Sequence, residues 1–367
     1  MTVPHKALAR AYRPETFADL VGQDALVRTM TNAFASGRLA HAYVLTGIRG
    51  VGKTTTARIL ARAFNCEKGP TAQPCLVCPQ CKAIAEERHM DVVEIDAASK
   101  TGVSDMRDII DGVSYRPVQG RCKIYVIDEV HMLSTAAFNA LLKTLEEPPE
   151  HVRFILATTE IRKIPVTVLS RCQKFHLKRV PADILDAHFR AVAEKEGVAI
   201  SQEASALVAA LADGSVRDGL SLLDQAIGRS GTSVDGAVIR EMLGLADSAR
   251  IHALLASAIE GKPAETLKAL RSLISDGADP TLLAKDLLEA THLTCLGAIA
   301  PEALDDPSIS PAERKAAAEL GTRIGHARAQ NAWQGLAKTI PEMQTSPLQS
   351  ACLEMALLRL APPKNKA

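Results

Sequence analysis

Short apolar runs alternate with amphipathic stretches along the first half of the chain. The runs have about five residues, the usual length of a strand, and lie at 42–46, 91–95, 123–127 and 153–158. Helical periodicity occupies three segments, at 54–64, 103–113 and 135–145. Alternating strands and helices predict right-handed crossovers and a parallel sheet with helices on both faces.

The pattern changes after about residue 180, where we predict no further strands. Ala-rich amphipathic stretches predict helices at 182–195, 201–211 and 217–228. A third region continues to residue 360, with helical periodicity that is clearest at 281–299 and 347–360. The 367 residues suffice for two or three domains. We predict an α/β domain at 1–180, a helical domain at 181–243 and a second helical domain at 244–367.

Composition and charge narrow the class of protein. Aromatic residues make up only 3% of the chain, which favours a core of aliphatic helices and buried parallel strands. Lys plus Arg number 43 and Asp plus Glu 42, a net charge of +1 that argues against a broad basic face for nucleic acid. No apolar run approaches the roughly 20 residues that span a bilayer. Residues 1–10 lack the apolar segment of a secretory signal, so we expect a cytosolic protein with reduced thiols and no membrane partner.

The segment from Gly47 to Thr54 reads Gly-Ile-Arg-Gly-Val-Gly-Lys-Thr and fits the phosphate-loop motif G-x-x-x-x-G-K-[ST]. Its glycines allow backbone N–H groups to surround phosphates, Lys53 offsets their charge, and Thr54 can coordinate Mg²⁺. A chance glycine-rich turn is the alternative, which the preceding strand and following helix disfavour. The predicted nucleotide-binding residues of this segment are Gly47, Gly50, Val51, Gly52, Lys53, Thr54 and Thr55.

Two adjacent carboxylates end the apolar strand at 123–127. Asp128 is predicted to hold Mg²⁺ and Glu129 to polarise the attacking water. An ordinary acid pair at a strand end is the alternative, which the upstream phosphate loop disfavours. His131 follows closely, and we interpret it as a packing residue.

Four cysteines cluster directly after the helix of the phosphate loop. Cys66, Cys75, Cys78 and Cys81 have the spacing C-x8-C-x2-C-x2-C, which is typical of a Zn²⁺ site with four thiolates. Protein fills all four positions, so we predict a structural metal rather than a catalytic one. Unligated thiols are the alternative, which the close spacing disfavours. The other four cysteines are isolated and are interpreted as buried small residues.

Further motifs make the chain resemble the gamma/tau subunits of bacterial DNA polymerase III, the AAA+ ATPases of the replication clamp loader. The resemblance covers the whole chain and weakens after about residue 245. It rests on the phosphate loop with its four-cysteine insert and on four other segments. These are Ala-Arg-Ala-Tyr-Arg-Pro at 9–14, Phe-Ala-Asp-Leu-Val-Gly-Gln at 17–23, Leu-Leu-Lys-Thr-Leu-Glu-Glu-Pro-Pro at 141–149 and Ser-Arg-Cys at 170–172.

The resemblance implies roles for residues outside the phosphate loop. Arg171 is expected to reach the γ-phosphate in a neighbouring subunit, since a guanidinium stabilises charge on the transferred group. Thr159 matches the first sensor and Arg217 the second, which brings a helical lid onto bound ATP. The family places Tyr12, Arg13, Pro14 and Val21 beside the adenine. From sequence alone, without the resemblance, an ordinary surface arginine is the favoured interpretation of Arg171.

DNA contact is implied only by position. Lys100 and Lys143 match residues near helix starts or on the inner face of the clamp loader, although a solvated lysine is an equal alternative. The implied partners are the delta and delta-prime subunits, the β sliding clamp, further copies of this chain and primer–template DNA.

The implied function is an ATPase in a DNA polymerase III holoenzyme, which opens the clamp and loads it on primed DNA during replication in the bacterial cytoplasm. The implied architecture is an AAA+ domain with a zinc insert, a helical lid and a helical collar. One rival is another AAA+ motor, such as a branch-migration helicase, which the cysteine insert disfavours. Another is a non-catalytic scaffold, which the intact set of Lys53, Thr54, Asp128 and Glu129 disfavours.

Overall fold

The computed structural model describes residues 6–99, 103–244, 247–305, 309 and 311–362. It divides into two compact units, Met1–Asp235 and Gly236–Ala367. Each unit has a hydrophobic core of its own. The finer division into three domains, with breaks after residues 180 and 243, stays a prediction.

The first unit is built on a parallel sheet of five strands in the order β2-β3-β4-β1-β5. The strands are β1 (Ala42–Thr46), β2 (Val92–Asp96), β3 (Lys123–Asp128), β4 (Val152–Thr158) and β5 (Gln173–His176). The first four confirm the predicted strands, with bounds that shift by at most one residue. β5 was not predicted because it is an edge strand in which only Phe175 is buried, so it lacks an apolar run.

Helices cover both faces of this sheet, as the alternation of strands and helices predicts. The helices of the first unit are α1 (Leu8–Ala11), α2 (Asp24–Ser36), α3 (Lys53–Asn65), α4 (Pro79–Ala85), α5 (Val103–Val113), α6 (Thr135–Glu146), α7 (Val166–Leu169), α8 (Ala182–Lys195), α9 (Gln202–Leu211) and α10 (Val216–Ser230). Short 3₁₀ turns lie at Phe17–Asp19, Val130–Met132 and Ile161–Lys163.

Alternate side chains of the central strands enter two separate cores. On β1, Tyr43 and Leu45 join the core that contains residues of α2 and α3. Ala42 and Val44 point to the opposite face and join the core that contains residues of α5 and α6. Strands that are buried on both faces need continuous apolar runs, which is the pattern that the sequence shows.

The prediction that strands end near residue 180 is wrong. Ala199–Ile200 (β6) and Ser233–Val234 (β7) pair in parallel as a small second sheet beside α8, α9 and α10. Two-residue strands carry no periodicity, so the sequence pattern contains no signal for them.

The second unit is helical throughout its described residues. Its helices are α11 (Gly236–Leu243), α12 (Ser248–Ile259), α13 (Pro263–Ser275), α14 (Pro280–Ile299), α15 (Pro311–Ile324), α16 (His326–Thr345) and α17 (Gln349–Arg359), with a 3₁₀ turn at Pro301–Leu304. Leucines, alanines and isoleucines of α12 to α17 form one core with Met343. Among the described residues no single helix is long and apolar enough to cross a membrane. The bent pair of α11 and α12 meets the criteria of length and apolar composition only when the two helices are taken together.

Candidate active site

Three neighbouring strands deliver most of the predicted catalytic residues to one edge of the sheet. Thr46, at the end of β1, pairs with Thr158 at the end of β4, and Ile127 of β3 pairs with Leu156 of β4. The phosphate loop after β1, Asp128 and Glu129 after β3, and Thr159 after β4 therefore converge. The carboxyl ends of parallel strands are where α/β proteins bind ligands.

Two glycines of the phosphate loop are required by close contacts. A Cβ atom on Gly47 would lie 2.6 Å from the carbonyl oxygen of Leu177, and one on Gly50 would lie 2.0 Å from Oγ of Ser215. Gly50 also has a φ of 75°, which disfavours any other residue. The loop leads into α3, which begins at Lys53, one residue earlier than predicted. Its N-terminal N–H groups face the loop, the arrangement that binds phosphate.

Lys53 is buried inside the loop that it serves. Its Nζ donates hydrogen bonds to the carbonyl oxygens of Gly47 at 3.1 Å and Ile48 at 3.0 Å. Burial lowers the pKa of Lys53, while the carboxylates of Glu129 and Asp128 act in the opposite direction. The ammonium group is thus held between the phosphate loop and the two acids.

The two acids predicted to hold Mg²⁺ and to polarise water contact the residues predicted to work with them. Oγ1 of Thr54 donates to Oδ2 of Asp128 at 2.5 Å, which places two hard oxygen ligands side by side. Oγ1 of Thr159 donates to Oε2 of Glu129 at 3.2 Å. The backbone of Glu129 has a φ of 45°, an uncommon value for this residue type that turns the chain directly after β3. Oxygen ligands of this kind fit Mg²⁺.

A pocket adjoins the phosphate loop and collects most of the predicted nucleotide-binding residues. The predicted residues that line it are Tyr12, Arg13, Pro14, Val21, Gly50, Val51, Gly52, Thr55 and Arg217. Leu20, His188 and Leu220 also line it and were not predicted. The pocket therefore combines apolar walls with two guanidinium groups, which suits a base and its phosphates.

The helical segment after residue 181 contacts the phosphate loop directly. The N–H of Arg217 donates to the carbonyl oxygen of Gly50 at 3.2 Å. Ser215 caps α10 by accepting from the N–H of Asp218 at 3.1 Å, so the start of this helix lies against Gly50. Tyr12 donates to Oε1 of Glu196 at 2.6 Å, a bond that raises its pKa to about 12. A change in the conformation of the phosphate loop would therefore be transmitted to the helical segment.

Two sets of hydrogen bonds that hold segments of the first unit in position were not predicted from the sequence. Gln23 is buried, and its side chain both donates to the carbonyl oxygen of Lys178 and accepts from the N–H of Lys178, at 2.8 and 3.1 Å. This pair of hydrogen bonds joins the segment beside the pocket to the chain after β5. The only signal for it was the presence of Gln23 in the motif at 17–23.

Asp91 makes the second contact that was not predicted, because the sequence pattern indicated that it belongs to a strand. It is fully buried before β2 and accepts hydrogen bonds of 2.7 Å from the N–H groups of Val118, Gln119 and Gly120. Burial acts to raise the pKa of Asp91, but the three N–H donors together lower it by more. The pKa of Asp91 therefore lies below its ordinary value. The carboxylate therefore anchors the loop that precedes β3.

Arg171 lies apart from the phosphate loop of its own chain. Its guanidinium is ion-paired with Glu146 and donates to the carbonyl oxygen of Thr167. Among the hydrogen bonds of the described residues, none joins Arg171 to the phosphate loop. The side chain is 31% exposed, so a group from outside the chain can reach it.

Of the two lysines proposed for DNA contact, the structure describes only Lys143. Lys100 lies outside the described residues. Lys143 is exposed in the last turn of α6 rather than near a helix start. A lysine there complements the negative end of the helix dipole, and this structural role needs no DNA.

The four predicted metal ligands form one cluster. The sulfur atoms of Cys66, Cys75, Cys78 and Cys81 all lie within 4.8 Å of one another. Backbone N–H groups point at three of these sulfurs, with distances of 3.3–3.4 Å. The N–H groups of Cys78 and Val77 lower the pKa of Cys75 to about 6. Four sulfurs that converge in this way fit a tetrahedral Zn²⁺.

Family models match three consecutive parts of the chain. Residues 22–181 match the DNA polymerase III delta subunit, and residues 185–232 match the ATPase lid domain of the DNA polymerase III clamp loader subunit. Residues 234–366 match domain III of the DNA polymerase III subunits gamma and tau. The lid match covers most of α8 and all of α9 and α10, and the start of α10 contacts the phosphate loop.

Two curated relatives extend this similarity over nearly the whole chain. DNA polymerase III subunit tau of Escherichia coli is 41% identical over 355 residues, which are 97% of this chain and 55% of that protein. DNA polymerase III subunit gamma of Buchnera aphidicola (subsp. Baizongia pistaciae) is 36% identical over 96% of each chain. The chain thus spans about half the length of the first relative and nearly all of the second. Among solved structures, the RuvB Holliday junction branch migration motor of Thermotoga maritima aligns with a TM-score of 0.48 and 20% identity, over 73% of this chain and 86% of that chain.

Proposed function

This chain belongs to the family of the gamma and tau subunits of bacterial DNA polymerase III, and we propose that it is an ATPase subunit of a replication clamp loader. In this proposal ATP binding opens the ring-shaped sliding clamp, and hydrolysis releases the closed clamp on primed DNA in the bacterial cytoplasm. The convergence of Lys53, Thr54, Asp128 and Glu129 at one sheet edge carries the proposal.

The residues of the site divide the work of phosphoryl transfer among them. The pocket beside Tyr12 and Arg13 takes the base, and Lys53 with the N-terminus of α3 takes the phosphates. Thr54 and Asp128 would hold Mg²⁺, which supplies positive charge at the phosphates. Glu129 accepts the proton of the attacking water, and Arg217 brings the lid onto the nucleotide.

Arg171 acts in a neighbouring copy of the chain in this proposal. Its exposure and its separation from its own phosphate loop support a role between subunits. The second unit, which contains no catalytic motif, is proposed to hold the subunits together as a collar. Delta and delta-prime subunits, the β clamp and primer–template DNA are the proposed partners, with Lys100 and Lys143 as candidate DNA contacts.

A clamp-loading assay tests the proposal. The chain is purified with delta and delta-prime subunits, and loading of the β clamp on primed DNA is measured with and without ATP. We expect ATPase activity that clamp plus primed DNA stimulates. Stimulation by four-way junction DNA alone would favour the branch-migration rival instead, and ATP-independent loading would favour a scaffold.

The cysteine cluster is proposed to hold one structural Zn²⁺. Metal analysis should find about one zinc per chain, as the count of four thiolates requires. Cys78→Ser should lower thermal stability more than it lowers ATP affinity, because the cluster lies beyond α3. Cys352→Ser, in the second unit, is the matched control and should retain the metal. Metal-free wild-type protein of unchanged stability would rule the site out.

A further inference from the structure

His131, which the sequence analysis assigned to packing, lies against the acid proposed to activate water. It is part of the 3₁₀ turn after β3, and only 8% of its side chain is exposed. Its Nδ1 is 3.4 Å from Oε2 of Glu129 and 3.0 Å from Oγ1 of Thr158. Its Nε2 is 3.5 Å from Oε1 of Glu160. The ring therefore stands between two carboxylates.

These contacts distinguish the two oxygens of Glu129. Oε2 accepts the hydroxyl of Thr159 and faces His131. Oε1 accepts no hydrogen bond from the described residues, so it is the oxygen available to a water molecule. A carboxylate held by one oxygen keeps the other in a fixed direction, and such orientation contributes to rate.

The surroundings of Nδ1 indicate where the histidine carries a proton. Oγ1 of Thr158 and Oε2 of Glu129 are both oxygens with free lone pairs, although Thr158 also accepts the N–H of Glu160 at 2.9 Å. An N–H at Nδ1 would satisfy either oxygen, whereas a lone pair there would oppose the carboxylate. Thr158 is fully buried, and its contact with Nδ1 keeps the ring in place.

We propose that His131 is a positioning residue for Glu129: its ring, fixed by the contact of Nδ1 with Thr158, lies against Oε2 and keeps that oxygen in place, so that Oε1 is directed at the attacking water. The inference rests on the proposed ATPase function. It assigns His131 a part in hydrolysis and none in nucleotide binding, because the pocket and the phosphate loop do not include it.

The test compares two substitutions that each keep one ring nitrogen. The amide of His131→Asn replaces Nδ1, which faces Glu129, and the amide of His131→Gln replaces Nε2, which faces Glu160. Hydrolysis by the full chain in the clamp-loader assembly is measured in a single turnover. Binding of a non-hydrolysable ATP analogue and thermal stability are measured beside it, with His151→Ala as a control in the loop before β4.

We expect His131→Ala to lower the hydrolysis rate by roughly 10- to 100-fold, with the affinity for the analogue unchanged. His131→Asn should recover most of the rate and His131→Gln little of it. Equal rates for these two variants, or a wild-type rate for His131→Ala, would overturn the inference even if the alanine variant is less stable. A wild-type chain that fails to hydrolyse ATP would instead reject the proposed function.

Discussion

The two units satisfy their buried polar groups in different ways. In the first unit some of these bonds run between distant segments, from Thr54 to Asp128 and from the N–H of Gly120 to Asp91, beside local ones such as that from Thr56 to Gly52. In the second unit a buried threonine bonds to the carbonyl oxygen four residues earlier in its own helix. The threonines that do this are Thr266, Thr291, Thr294 and Thr339.

This difference separates a unit organised for chemistry from one organised for packing. A bond between distant segments forms only when the whole fold is correct, so it holds several elements in one arrangement. A threonine bonded within its helix is satisfied wherever that helix packs. Substitutions of polar residues should therefore have large, specific effects in the first unit and small ones in the second.

The largest effect is expected at Arg171, the residue proposed to act between copies. Removing an arginine that stabilises a phosphoryl-transfer transition state costs about 10³-fold or more in rate. Arg171→Ala should bind ATP normally and hydrolyse it poorly. Mixed with Lys53→Ala chains, it should recover some activity, because its intact phosphate loop then receives Arg171 from a neighbour. Exchange of subunits without any recovery would exclude a role in trans.

Glu129→Gln should come next, with a loss of about 10²- to 10⁴-fold in hydrolysis, since proton transfer to the carboxylate is removed. Affinity for ATP should stay near the wild-type value, because the proposed role of Glu129 is to activate the water rather than to bind the phosphates. Lys53→Ala is the contrasting variant and should weaken binding itself. If both variants lost ATP affinity equally in a titration, this division of roles would be wrong.

Asp91→Asn tests whether a bond between segments stabilises the first unit. Loss of a charged acceptor for three N–H groups should lower the free energy of unfolding by about 2–4 kcal/mol in urea titrations. The pKa of Asp91 lies below its unfolded value, so its contribution is complete above that value and declines as the pH falls. The loss of unfolding free energy in Asp91→Asn should therefore be complete at pH 7 and become smaller below about pH 4.

Asp183→Asn is the matched control for that variant. Asp183 is exposed in the first turn of α8, so its loss should cost no more than about 0.5 kcal/mol at any pH. Equal destabilisation of the two variants would remove the distinction between anchored and solvated carboxylates.

The smallest effect is expected at Thr291, which is fully buried in α14. Its hydroxyl donates to the carbonyl oxygen of Leu287 at 2.6 Å, and valine has nearly the same shape. Thr291→Val should change the free energy of unfolding by no more than about 1 kcal/mol, because no other element loses a partner. A loss as large as that of Asp91→Asn would contradict the contrast between the units.

Local chemistry explains which parts of the site were predictable. The phosphate loop, Asp128 and Glu129, and the four cysteines are recognised from consecutive residues, because their spacing alone brings the ligand atoms together. The first four strands were equally predictable, since strands buried on both faces need an uninterrupted apolar run. Nine predicted residues line the pocket, of which four came from the phosphate-loop motif and five from the family resemblance.

Contacts between distant segments were beyond the reach of these patterns. The residues near Asp91 in the sequence do not indicate that it anchors the loop at 118–120. Those near Gln23 do not indicate that it forms hydrogen bonds with Lys178. His131 is a lone histidine in a short turn, and only the pairing of β3 with β4 brings it to Thr158.

The sequence by itself thus determined the phosphate loop, the paired acids, the cysteine cluster and the central strands, because each depends on neighbours along the chain. The tertiary structure alone decided the edge strand β5, the pairing of β6 with β7 and the surroundings of His131. The physical reason is that hydrogen bonds between segments far apart depend on how the strands align, and a single stretch of sequence contains no record of that alignment.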